Sequence, residues 1–171
     1  MALITDTQPY RGEVRALVFD GDVEPMAVLS DTGNEAWSRL VSEHVSSNLV
    51  TDVGRQQMTK LIVGETTALC LYMALSTSVV TPALADTVAS IPDRISTVAL
   101  TVHQSFSSFY QRYVGYFSTV SFATTGINTE ALLDASSTAA ATNLWADAAV
   151  TISKSGTQSL IVDHRIQATT G

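Results

Sequence analysis

Hydrophobic and polar residues alternate along the last third of the chain. Residues 150–153 alternate between apolar and polar side chains, and residues 160–166 do the same after a turn at Gly156. A period of two is typical of a β-strand with two unequal faces, and glycine adopts the positive φ that tight turns need. We therefore predict a closing β-hairpin here, preceded by a further strand at residues 113–124.

Apolar runs predict additional strands earlier in the chain. Residues 68–76 are almost continuously apolar, as in a central strand covered on both faces, and residues 94–104 alternate again. Residues 11–19 predict a strand, and residues 23–29 predict a weaker one that Pro25 places at a sheet edge. The last two segments together predict an N-terminal hairpin.

Two helices are predicted from a period near 3.6 residues. Residues 34–48 carry a potential N-cap at Asn34 and one continuous apolar face. Residues 52–63 form a second candidate, with Asp52 as the predicted N-cap and Gly64 placed to end the helix. The apolar face of the first candidate consists of Trp37, Leu40, Val41, His44, Val45 and Leu49.

Three segments show no clear period. Residues 1–9 resemble an extended arm, and residues 77–92 form a loop of a length that tends to be functional or to contact a partner. Residues 135–143 are mostly small and uncharged. Such a composition suits either a tight contact or a mobile loop, and both alternatives stay open.

The composition favours assembly with other proteins. Hydrophobic residues make up 46% of the 171 residues and charged residues only 15%, against an ordinary charged share of about 25%. Much of the surface must then be uncharged, which suits burial in a homo-oligomer. The net charge of −7 and the pI of about 4.7 argue against direct binding of nucleic acid and of anionic membranes.

No targeting or membrane-spanning segment is expected. Residues 1–6 have neither a basic region nor an apolar region of the kind that a signal peptide contains. The most apolar window, residues 61–80, contains Glu65 and falls short of the roughly 20 apolar residues that a spanning helix needs. We therefore expect synthesis in the cytoplasm.

Candidate metal and nucleophilic residues are isolated. Cys70 is the single cysteine, which rules out an intrachain disulfide, and its apolar context indicates a buried, inert thiol more strongly than a nucleophile. His44, His103 and His164 lack the spacing of zinc ligands. The Asp52–Arg55 pair is interpreted as structural. We predict no metal site and no cofactor.

Candidate catalytic groups are equally weak. Glu130 and Asp134 are a possible carboxylate pair for glycoside hydrolysis, although a satisfied turn or ion pair is the better interpretation. Asp163 and Arg165 should share one strand face and form an ion pair, with His164 on the other face. No GxSxG, GxxxxGK[ST] or GxGxxG motif occurs, and a Ser-His-Asp triad of distant residues stays compatible with the sequence. We predict that the chain is not an enzyme and has no catalytic, cofactor-binding or metal-binding residues.

Residues 48–167 resemble the C-terminal half of a family of small phage virion proteins. Members occur as tail-fibre N-terminal domains, fibre or baseplate adaptors and decoration-type proteins. This sequence departs from the family pattern at residues 76–78, where glycines are usual, and in the Ala/Ser/Thr run of residues 135–142. The matching pieces are TDVGR (51–55), YMALS (72–76), TPALADT (81–87), Arg94, TEALLDA (129–135) and residues 150–166.

The resemblance implies a mainly β fold: an antiparallel, jelly-roll-like β-sandwich with two short α-helices near the N-terminal side. We expect an arm and hairpin at residues 1–33 and the sandwich domain at residues 34–171. The implied function is that of a non-enzymatic virion structural protein, made in the host cytoplasm. It would form a ring or trimer and dock on other virion proteins, in the tail, baseplate or fibre-adaptor region.

Two alternatives remain at the level of sequence. The chain would instead be a capsid decoration (cement) protein whose N-terminal arm reaches a neighbouring subunit. A less favoured alternative is a carbohydrate-binding or glycan-cleaving β-sandwich. Such a protein would need exposed aromatic platforms, and because Trp37 falls on the predicted helix face, Trp145 is the remaining candidate.

Overall fold

Strands make up most of the chain that the computed structural model describes, which is residues 10–65, 69–107, 110–136 and 142–168. The predicted mainly β class is confirmed, and the structure has two α-helices, of which only one lies where the sequence predicts a helix. Two short 3-10 helices, Glu35–Arg39 and Val88–Ser90, complete the described elements. The helices are α1 Pro25–Ser30 and α2 Asp52–Ile62, and the strands are β1 Tyr10–Asp20, β2 Leu40–Val50, β3 Tyr72–Ser76, β4 Arg94–Ala99, β5 Val102–Ser107, β6 Tyr110–Phe117, β7 Thr124–Leu133, β8 Leu144–Lys154 and β9 Gln158–Ala168.

The described strands form one antiparallel sheet that curls into a nearly closed barrel. Its order is β4-β3-β7-β8-β2-β1-β9-β6-β5, so the consecutive strands β4 and β5 lie at opposite ends. The two residues between them join those ends. Leu100 donates its N–H to the carbonyl of Leu71 (2.8 Å), and Thr101 donates to the carbonyl of Val114 (2.7 Å). The continuous chain therefore brings the two ends of the sheet together, and no ladder between β4 and β5 is present among the described residues.

The barrel is flattened, so its opposite walls touch. Gly115 on β6 faces Met73 on β3, and a Cβ at Gly115 would lie 2.4 Å from the Met73 sulfur. The two walls thus pack at a separation that admits no side chain at this point. Apolar residues from alternate positions of the surrounding strands fill the rest of the interior, among them Val14, Ala16, Val18, Leu75, Phe117, Leu132, Val150, Leu160 and Val162.

Two further hydrophobic clusters lie on the outside of the barrel. The segment containing α1 and the first 3-10 helix covers the outer face of β1, β9 and β6, where Phe19 meets Trp37 edge to face with ring centroids 5.8 Å apart. The segment around the second 3-10 helix covers β3, β7 and β8, with Val88 and Ile91 buried against Leu133. The outer faces of these strands are therefore apolar too, which explains their long apolar runs in the sequence.

Helix α2 confirms the predicted helix at residues 52–63, but its N-cap is Thr51 and not Asp52. The Thr51 side chain accepts the N–H of Gly54 (3.0 Å) and donates to the carbonyl of Leu144 (2.5 Å), which ties the cap to β8. Asp52 instead pairs with Arg55 within the helix. A Cβ at Gly54 would lie 2.0 Å from the Trp145 carbonyl oxygen, so the helix backbone rests directly on the strand.

The helix predicted at residues 34–48 is wrong. This segment is the short 3-10 helix followed by β2, which pairs with β1 along nearly its whole length. Residues four apart lie on one face in both a helix and a strand, so the spacing of Val41 and Val45 fits either structure. Pairing with β1 decides the outcome in favour of the strand.

Both predicted hairpins are also wrong. Residues 23–29 belong largely to α1, where Pro25 occupies the first helical position, in which its missing N–H costs nothing. Strands β8 and β9 follow each other in sequence, yet β2 and β1 lie between them. In the described chain, β1 lies between β2 and β9 within the sheet, and the predicted arm at residues 1–9 falls outside the described residues.

Other expectations are refined by the structure. The predicted strand at residues 94–104 is divided between β4 and β5, and the strand at residues 113–124 ends at Phe117. The long loop at residues 77–92 is confirmed apart from its 3-10 turn. Because the described strands form one continuous sheet, the arrangement as a two-sheet sandwich is not confirmed.

Substitution of Leu132 tests the position of the core. Leu132 is fully buried on β7, so Leu132→Ala should lower the free energy of unfolding by about 2–5 kcal/mol in urea denaturation. Leu69→Ala is the matched control, because Leu69 is 46% exposed and its loss should cost less than about 1 kcal/mol. Equal losses in the two variants would contradict the placement of β7 in the barrel wall.

Candidate functional site

Three polar side chains meet inside the barrel. Asn48 on β2, Glu130 on β7 and His164 on β9 point inward and are almost completely buried. Strand alternation fixes the direction of His164, because its neighbours Val162 and Ile166 belong to the interior cluster. We call Asn48, Glu130 and His164 the interior triad.

Hydrogen bonds define the protonation of the interior triad. The Asn48 side-chain nitrogen contacts His164 Nε2 and donates to the carbonyl of Arg165 (3.0 Å). An amide nitrogen only donates, so Nε2 must accept and the ring proton lies on Nδ1. His164 Nδ1 then donates to Glu130 Oε2 (2.8 Å). The ring edge of Tyr113 packs on the histidine, with centroids 6.4 Å apart.

This arrangement is suited to holding strands together rather than to catalysis. Glu130 and His164 have no exposed surface, so no bulk substrate reaches them in this conformation. The triad links β2, β7 and β9, which lie on different parts of the barrel wall. A buried polar network of this kind fixes the relative positions of the elements that contribute to it.

Cys70 is buried next to the same interior, as predicted. Burial is the main cause that raises the pKa of its thiol well above the ordinary value, and the charges of Glu130 and Asp134 raise it further. The thiolate is the nucleophilic form of cysteine, so a raised pKa suppresses reactivity.

Glu130 and Asp134 have different hydrogen-bond partners. Glu130 is inside the barrel, whereas Asp134 follows the end of β7 and accepts the backbone N–H of Asn143 (2.8 Å). Asp134 therefore closes the connection between β7 and β8, in line with the structural interpretation of this residue.

The predicted ion pair of Asp163 and Arg165 is confirmed, with His164 on the opposite face. Arg165 Nη2 lies 2.7 Å from Asp163 Oδ2. The structure adds Arg112 of β6, which binds Asp163 through two hydrogen bonds of 2.8 Å. The sequence analysis missed Arg112. The available sign was a charged residue within a strand that is mostly apolar. Two arginines around one buried carboxylate compensate its desolvation.

Asp147 is a buried carboxyl that sequence reasoning also missed. It lies on the outer face of β8 beside Ala131, is fully buried and has the Asp86 carboxyl as its neighbour. Burial, and then the neighbouring charge of Asp86, raises the pKa of Asp147 to about 8. The group is therefore mainly a neutral acid at pH 7. No spacing or motif in the sequence marks it, because the cause is burial.

Other sequence candidates are not brought together. His44 lies on β2, far along the strand from the triad member Asn48, and the His103 side chain is outside the described part of the structure. Trp145 is buried and Trp37 is covered by the Arg15 guanidinium at 5.3 Å. Within the described ranges, no group of three or more His, Cys, Asp or Glu residues is arranged to hold a metal ion.

One edge of β2 is accessible and unpaired in the described structure. This strand pairs with β8 only over Asn48–Val50, so residues 40–47 have no strand partner on that side in the described structure. Val41 and Val45 on the same stretch are 54% and 52% exposed. We call residues 40–47 the β2 edge.

Comparisons with known proteins find no match: no family model, no curated protein and no solved structure resembles this chain at a significant level. In the described residues, no helix has the length and apolar character needed to cross a membrane.

A double-mutant cycle tests the coupling within the interior triad. His164→Leu leaves the Glu130 carboxylate buried without its partner, so unfolding free energy should fall by about 3–5 kcal/mol. The double variant His164→Leu/Glu130→Leu should lose at least about 1 kcal/mol less than the sum of the two single losses. Additive losses in urea denaturation would show that the two groups do not interact.

Asp147 makes stability depend on pH. The folded pKa of about 8 exceeds the ordinary value of 3.8. The contribution of the neutral Asp147 carboxyl to the free energy of unfolding is therefore complete below about pH 4 and is lost as the pH rises through 8. Asp147→Asn should therefore gain stability over the parent chain between pH 5 and pH 8, by up to about 1.4 kcal/mol per pH unit. Asp20→Asn removes an exposed carboxylate and serves as the control. A pH-independent difference between Asp147→Asn and the parent would contradict the raised pKa.

Proposed function

We propose that this chain is a non-enzymatic structural protein of a phage virion, which self-assembles and docks on other virion proteins. The favoured location is the tail, baseplate or fibre-adaptor region, as the family resemblance of residues 48–167 implies. The observation that carries the structural role is the β2 edge, an unpaired stretch of strand with two exposed valines in the described structure. Open edges are the places where sheet proteins pair with other chains.

The distribution of reactive groups supports a structural role over catalysis. Among the described residues, the ionisable groups of the interior triad are bound to one another in the core, and Asp163 is bound to two arginines. Cys70 is held as a buried thiol. A catalytic group must reach its substrate, so residues enclosed in this way are better suited to stabilising the barrel.

Composition supports protein partners. A net charge of −7 disfavours direct contact with nucleic acid and with anionic membranes, whereas the low charged fraction of 15% favours burial against protein. Closed homo-oligomers bury such surfaces without leaving open ends. We propose a ring or trimer as the working assembly.

The jelly-roll-like sandwich belongs to the same proposal. A flattened barrel, in which Met73 and Gly115 meet across the core, has two opposed walls like the two layers of a sandwich. Assignment to a jelly-roll lineage would follow from a solved relative with the same strand order.

A capsid decoration role is the second candidate. It shares the acidic, weakly charged surface and differs in where the protein sits on the particle. The glycan-directed alternative has less support, because Trp37 and Trp145 are both covered and neither forms an exposed aromatic platform.

Gold-label electron microscopy of purified particles tests the proposal, using an antibody against the folded chain. Label at the tail or its tip is the expected result, because it agrees with the adaptor location. Label distributed over the head would assign the chain to decoration of the capsid. Absence of the chain from intact particles, checked by mass spectrometry of the same preparation, would overturn the structural role.

A further inference from the structure

We propose that two copies of the chain associate through their β2 edges, which pair antiparallel about a two-fold axis at Glu43. The inference names one contact of the proposed self-assembly and rests on that proposal only for its biological setting. The occupant of the edge is therefore a second copy of this chain.

The unpaired part of β2 is long enough to bind a second strand. β2 is paired with β1 from Leu49 back to Leu40, with one irregularity at Val41, which has no partner residue on β1, so β2 is held as a strand on one side. On the other side the pairing with β8 covers only Asn48–Val50. In the described part of the chain, the β2 edge therefore presents eight residues of backbone, about 26 Å, whose outward N–H and C=O groups have no strand partner.

The positions of the exposed valines match when two β2 edges pair. In an antiparallel pair of identical strands centred on Glu43, Val41 of each copy lies opposite Val45 of the other. Both valines are more than half exposed in the single chain, and the pairing covers both. A register centred on Val41 or on Val45 would match only one valine with a valine. Valine pairs across a strand interface are stabilising, so the centred register is preferred.

The charges at the centre of the contact are balanced. The two-fold axis brings Glu43 close to its copy, which would repel if the carboxylates were unpaired. Each Glu43 already binds Arg15 of β1 with Nε and Oε1 2.5 Å apart, and Arg15 is in turn held over the Trp37 ring. Two carboxylates and two guanidinium groups then meet at the axis, so the charges balance.

The geometry also fits the symmetry of assemblies. A contact that uses the same surface on both copies is isologous and closes after two subunits. Such dimers can be the building units of larger closed rings, while the remaining surfaces contact other virion proteins. Asp163 and its two arginines lie on β9 and β6, away from the β2 edge, and take no part in this contact.

Register-specific disulfide trapping tests the contact. Chains with Val41→Cys and chains with Val45→Cys should cross-link when mixed and oxidised, because the new thiols face each other. Neither variant should cross-link alone, since like positions would be about 14 Å apart, which is beyond the reach of a disulfide. Cys70 is buried and does not interfere. Cross-linking of either single variant alone, or none in the mixture, would overturn the proposed register.

Sedimentation of the full chain tests the energetics without new thiols. Val41→Ser/Val45→Ser should raise the dimer dissociation constant at least tenfold while circular dichroism stays unchanged, because both positions are exposed. Val120→Ser, at a 90% exposed position in the turn after β6, should leave the dissociation constant unchanged. An unchanged constant in the double variant, or a chain that is monomeric throughout, would overturn the inference.

Deletion of residues 1–9 separates the second copy from a competing occupant. A dimer and a mixed cross-link that survive the deletion support pairing of two β2 edges. Loss of both would mean that the N-terminal arm of a neighbour occupies the edge, and would overturn the inference. If the pairing fails but the chain is still found on particles, the virion role stands. If the chain dimerises through its β2 edge but is absent from particles, only the virion role is refuted.

Discussion

The closure of the sheet is the constraint on which the rest of the structure depends. Leu100 is bonded to Leu71 beside β3, and the next residue, Thr101, is bonded to Val114 of β6, so the continuous chain itself connects the two ends of the sheet. Closure gives the barrel an inside that is shielded from water, and this shielding allows polar groups there to bind one another strongly. In the described chain, unpaired strand edges are left at the terminal strands β4 and β5 and along the β2 edge, where the pairing of β2 with β8 stops.

Chemistry and exposure are separated in this molecule. His164 and Glu130, which are able to transfer protons, lie inside and hold strands together, whereas the exposed residues of the β2 edge are Val41, Ser42, Glu43, Val45 and Ser47. Buried polar groups stabilise the barrel, and an open strand edge can pair with another chain. Both properties suit a subunit of an assembly. This separation underlies both the proposed structural role and the inferred pairing of two copies.

Local patterns predicted the local features. The mainly β class, helix α2 and the shared face of Asp163 and Arg165 follow from periods of two and 3.6 along the chain. The strand β2 was missed because residues four apart coincide in a helix and in a strand. The separation of β8 from β9 by β2 and β1, the closure at Leu100 and the burial of Asp147 depend on contacts between distant segments, and no short window of sequence encodes them.

Residue-resolved amide hydrogen exchange, followed by NMR in dilute and concentrated solution, tests the central claim that the barrel-like sheet is open along the β2 edge. The account predicts that about half of the amides of residues 40–47, those facing away from β1, exchange rapidly in dilute protein while the amides of β9 are protected. Raising the concentration should slow these edge amides selectively. Edge amides as protected as those of β9 at every concentration would contradict the account, because β2 would then be paired on both sides within one chain.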